Sequence, residues 1–191
     1  MVLGMSVPTF TLVHVVISLV AIVSGFIVMF GLIGSNRMSG MTALFLATTI
    51  LTTATGFLFP FTQLFPSHMI GMLSLPFLAI AVFALYGQKL SGASRWIYVV
   101  TAMLSLYLNV FILVIQSFLT VPALRALAPD LPLAHAPFAI TQVIVLVFFI
   151  IMIIGAVRRF HPALGDETPR QISERAIEPT DPAFGRPNGG R

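Results

Sequence analysis

The chain contains no cysteine, which excludes disulfides, thiolate nucleophiles, iron–sulfur ligation and cysteine-based zinc sites. It is also poor in charge, with Asp, Glu, Lys and Arg making up 8% of its 191 residues, where a soluble domain carries about a quarter. Together with 58% apolar residues and a mean hydropathy of +1.01, that scarcity excludes a water-soluble enzyme, a disordered chain and a collagen-like fibre. No Ser-His-Asp set, His-Glu-x-x-His helix, phosphate-binding glycine loop or carboxylate pair is present. All six carboxylates fall in connections or in the tail. Proton-coupled transport places Asp or Glu within its spans, so a pump is disfavoured.

What is present is a set of long apolar runs. A bilayer core about 30 Å thick needs roughly 20 apolar residues in a helix. Five runs meet that need, at residues 9–33, 42–59, 68–86, 96–120 and 137–157, and none contains Lys, Arg, Asp or Glu. One such charge at a helix centre costs about 3 kcal/mol on insertion. The expected fold is therefore all-α, an integral membrane five-helix bundle occupying residues 1–158. Helix-ending signals punctuate the runs: Gly34-Ser35-Asn36 after the first, Pro60 after the second, Gly87-Gln88-Lys89 after the third and Pro122 after the fourth. The first run is too long for a signal-peptide core and lacks an Ala-x-Ala cleavage pattern, so it reads as retained. No internal repeat is visible, and five spans do not divide into inverted halves.

Five spans put the termini on opposite sides. Arg37, Lys89, Arg95, Arg158, Arg159, Arg170 and Arg175 fall on one face and only Arg125 on the other. The positive-inside rule then predicts a periplasmic N-terminus and a cytoplasmic C-terminus. This asymmetry accounts for the net charge of +4 without a nucleic-acid partner. The segment 159–191 is rich in Pro and Gly and mixed in charge, and by composition it does not fold alone. It reads as a cytoplasmic tail available for contact with other membrane subunits.

Polar residues at membrane depth each need a partner or a purpose. His14, Gln116 and Gln142 are each predicted to lie about 6 to 8 Å below the outer face at the helical rise, and His68 opens the third run. On the fourth run Thr101, Ser105 and Asn109 recur at i+4, with Gln116 and Thr120 continuing at i+7 and i+11. The ordinary role of such residues is hydrogen bonding between helices. The sharper reading makes His14, His68, Asn109, Gln116 and Gln142 a cofactor-binding set. Haem b would take His14 and His68 as axial metal ligands. A quinone would need less: one His, one Gln or Asn, and an aromatic cleft from Phe57, Phe59 and Phe61. His68-Met69 with Met72 also gives a soft-metal spacing suited to Cu(I).

The segments Phe57-Leu58-Phe59-Pro60-Phe61, Pro66-Ser67-His68 with Gly71 and Ser74, and Tyr107-Leu108-Asn109-Val110-Phe111 with Gln116 resemble small bacterial multi-span inner-membrane proteins with no assigned activity. The resemblance implies a bacterial inner-membrane location and no reaction. Two functional expectations follow from the residues. The first is a non-catalytic accessory or interaction subunit of a larger membrane complex, embedded in lipid. The second is a redox-type protein binding haem b or quinone near the outer leaflet through His14 and His68. A channel along the Thr101 to Thr120 stripe is a third, weaker fit.

Overall fold

The computed structural model describes residues 2, 4–59, 66–127 and 136–161, with only the backbone of residues 66–68. The chain divides into two units, Met1–His161 and Pro162–Arg191. The second unit lies outside the described residues, and with it nearly all of the expected tail contact. Among the described residues the elements are helices: α1 (Val7–Ile33), α2 (Ser39–Gly56), α3 (Pro66–Val82) continued by a π-helical turn (Phe83–Gly87), α4 (Ser94–Thr120), α5 (Pro122–Leu127) and α6 (Ala136–Arg159).

α1, the stretch Met69–Gly87, α4 and α6 are long and apolar enough to cross a bilayer. The protein is a multi-pass membrane protein whose apolar helices face lipid. The expected span 42–59 corresponds to α2, which is not among those four. Six of its 18 residues are threonine, which lowers its hydropathy.

Local chemistry explains where the helices begin and end. α1 starts two residues before the apolar run because the Ser6 hydroxyl accepts the Thr9 amide at 3.3 Å and Pro8 is tolerated in the first turn. The turn after α1 is tight, with the Asn36 amide donating to the Gly31 carbonyl at 2.8 Å. Gly31 allows this, since a Cβ there would lie 2.9 Å from the Met38 methyl carbon. α2 ends at Gly56, so Phe57, Leu58 and Phe59 leave the helix instead of extending it. Pro76 lies inside α3 and withholds the amide that the Met72 carbonyl would accept. Beyond the π-helical turn, Lys89 and Leu90 adopt left-handed φ of 50° and 60°, and the Leu90 amide closes onto the Ala84 carbonyl at 3.2 Å. The buried Leu90 side chain anchors that turn in the core. Pro122 follows the end of α4, as expected of a stop, and is also the first residue of the short exposed helix α5.

α4 is the hub, packing against α1, α2, α3, α5 and α6. Half of its most apolar stretch is buried, against 17% for α6. The main core gathers Met29, Phe45, Tyr98, Met103, Leu106 and Phe149, with Phe160 closing its end. α1 and α2 run side by side in opposite directions, because Gly25 meets Phe45 while His14 meets Thr55 and Gly56. At the other end of α1, the His161 amide donates to the Ser35 hydroxyl at 3.0 Å and ties the end of α6 to the α1–α2 turn.

Candidate functional site

His14 sits half-buried on α1, with its ring against the end of α2. Its Nδ1 lies 2.8 Å from Thr55 Oγ1. That hydroxyl also reaches the Leu51 carbonyl at 2.8 Å and the Thr52 carbonyl at 3.1 Å. A hydroxyl has one proton to give. With that proton on a carbonyl of its own helix, Thr55 Oγ1 accepts from His14, so Nδ1 carries a proton, and in the neutral ring Nε2 is then the acceptor. Gly56 faces the ring, and a Cβ there would make an ordinary van der Waals contact with His14 Cε1 at 3.7 Å. Phe59 packs edge-on to the imidazole at 5.3 Å between centroids, and Phe10, itself buried, packs edge-on to Phe59 at 5.0 Å. The result is an imidazole held in an aromatic niche formed by α1 and the end of α2.

Asn109 and Gln142 are not part of this niche. Asn109 on α4 reaches Thr49 Oγ1 of α2 at 3.4 Å, an interhelical contact deeper in the bundle. Gln142 on α6 is buried and donates through Nε2 to the Phe111 carbonyl of α4 at 3.2 Å. Its Oε1 is buried without a partner among the described residues. Gln116 is exposed, although periodicity places it on the Asn109 face. Counting from the Asn109–Thr49 contact, it lies level with Gly56, where α2 stops, so no further turn of α2 covers it. The His68 side chain and Phe61 lie outside the described residues, so the expected His14–His68 pair has only one partner in view. Met69 and Met72 are exposed on α3. No three of His, Asp and Glu converge among the described residues.

The polar stripe of α4 is a packing seam. Thr101 and Ser105 are buried, and their hydroxyls donate to the carbonyls of Ile97 and Thr101 one turn earlier, at 2.7 and 2.9 Å. Sequence reading missed Thr55 and Thr49 as partners. Compared with protein families, curated proteins and solved structures, the chain matches none.

Proposed function

We propose that this multi-pass protein is a non-catalytic accessory or interaction subunit of a larger bacterial inner-membrane complex, with five spans, its N-terminus outside and the segment 159–191 contacting other subunits in the cytoplasm. The observation that carries the reading is the use made of the polar groups at membrane depth. Ser18, Ser24, Thr48, Thr53, Thr55, Thr101, Ser105 and Ser117 each donate to a carbonyl of their own helix. Hydroxyls engaged this way serve helix packing and are not poised as nucleophiles or proton carriers. The uncovered apolar length of α3 and α6, with 28% and 17% buried, leaves wide faces for lipid and for neighbouring helices.

The fifth span is α2. At the helical rise its 18 residues extend about 27 Å, close to the bilayer core. It follows α1 from Phe45 to Thr55, and three of its threonines satisfy their hydroxyls internally. Such back-bonding lowers the cost of a threonine-rich span.

Limited proteolysis tests the subunit reading. The segment 159–191 of the purified chain is expected to be cut at low protease, and to be protected in native membranes opened on the cytoplasmic side. Equal cutting rates in the two preparations would sink the proposal.

One observation favours a second reading, the His14 imidazole held in place through Nδ1 by Thr55. It suits a quinol hydroxyl or a quinone headgroup reaching the niche from the lipid. Haem b suits it less, since among the described residues at this end of the bundle only Arg125 is placed to meet a propionate. Protein purified in mild detergent is expected to retain a quinone detectable by mass spectrometry, and His14→Ala to lose it. A haem band in the reduced-minus-oxidised spectrum would replace quinone by haem, and neither ligand in the wild type would end this reading.

A further inference from the structure

A cluster of basic residues at one end of the bundle and an apolar groove lie along the same pair of helices, α1 and α2. Among the described residues there are six Lys or Arg and no Asp or Glu, and five of the six (Arg37, Lys89, Arg95, Arg158 and Arg159) lie at the end where α1 and α6 finish and α2 and α4 begin. Arg37 is exposed in the α1–α2 turn, one residue before Met38, the cap of α2. The hydrogen bond from the His161 amide to Ser35 brings the end of α6, with Arg158 and Arg159, to that same turn. Met38 supplies no side-chain cap, so the first amides of α2 add their positive field at this end.

One turn into α2, Met41 begins an open groove of ≈ 280 Å³ between α1 and α2, lined by Leu19, Val20, Val23, Ser24, Met41 and Leu44. Its wall is apolar, because the Ser24 hydroxyl is turned onto the Val20 and Ala21 carbonyls at 2.7 and 3.2 Å. Met41 follows Arg37 by four residues, so the groove opens within about one helical turn of the basic end.

We propose that this surface is a binding site for an anionic phospholipid, with the headgroup phosphate on Arg37 and one acyl chain in the α1–α2 groove. Guanidinium and phosphate pair through charge-assisted, often bidentate hydrogen bonds. No carboxylate among the described residues competes for Arg37. A zwitterionic lipid fills the groove equally well, but it brings its own cation to a surface already positive. The discrimination thus comes from charge and the retention from the groove. The site stands on the geometry of the basic end and is independent of both the subunit and the His14 readings.

The test is native mass spectrometry of the full chain in detergent, with phosphatidylglycerol and phosphatidylcholine of matched acyl chains added at equal concentration. Phosphatidylglycerol is expected to be retained over phosphatidylcholine by about fivefold or more, the scale of one basic residue at a membrane surface. Arg37→Ala is expected to remove most of that preference, and Leu44→Trp, which fills the groove, to weaken retention of both lipids. Arg125→Ala, at the opposite end, is expected to change neither. Equal retention of the two lipids by the wild type, or an unchanged preference in Arg37→Ala, would overturn the site. Displacement of phosphatidylglycerol by millimolar inorganic phosphate, or no effect of Leu44→Trp, would show that only an anion is held and overturn the assignment of the groove.

Discussion

Expressed in a bacterial inner membrane, Ala126→Cys is expected to react with a membrane-impermeant maleimide from outside, while Asn36→Cys and Ser91→Cys react only after permeabilisation. The absence of native cysteine makes each introduced thiol the only one in the chain, so the readout is nearly all-or-none. All three positions are exposed, in the α1–α2 turn, the turn before α4, and α5. The decisive position is Ser91. If α2 remained on one side of the membrane, every later connection would change sides, and Ser91 would label from outside while Ala126 would not. That alternative would place Lys89 and Arg95 outside, against the positive-inside rule. It would also separate them from Arg37, although the α3–α4 turn and the α1–α2 turn lie at the same end of the bundle. Labelling of Ser91→Cys in intact cells would therefore remove the fifth span and the opposed termini together.

Gly25→Leu is expected to destabilise the folded bundle by about 1 to 3 kcal/mol, the usual cost of overpacking a filled core. A Cβ on Gly25 would lie 2.5 Å from Leu106 Cδ1 and 2.9 Å from Phe45 Cε2. Neither neighbour has room to retreat, since each is 1% exposed. At Gly25 the three helices α1, α2 and α4 are therefore in close contact. Relief would need α1 to move off α4, loosening the alignment that also sets His14 against Thr55. Gly155→Leu on α6 is the control, because nothing lies within 4 Å of a Cβ at that position. Thermal unfolding in detergent is expected to show a clear loss for Gly25→Leu and little change for Gly155→Leu. Equal unfolding temperatures would mean that the three helices do not meet at Gly25.

The helices were legible because exclusion of charge and turn chemistry are local signals. α4 ends at Thr120, where the apolar run ends, and α6 outruns its expected bounds by one residue at the start and two at the end. The larger misses also have local causes. Ser6 caps α1 before the apolar run begins, and Pro122 opens α5 after closing α4. At the site, the place of His14 on α1 was legible, but its partner was not. Thr55 is 41 residues away, and nothing in its neighbourhood states which way α2 is rotated. Gln116 shows the limit of periodicity: a helix face is an interior face only for as long as a neighbouring helix runs beside it.

Residence in lipid, helical spans and the gathering of basic residues at one end follow from composition and order alone, because insertion depends on the hydropathy and charge of each segment, whatever its neighbours. Which polar groups meet is a matter of packing. Gln142 was expected near His14 and instead holds the Phe111 carbonyl of α4, and Asn109 holds Thr49 of α2. Such pairings depend on helix order, rotation and axial offset. Those are set by steric fit among α1, α2 and α4 at places such as Gly25, and a single chain of letters carries no measure of that fit.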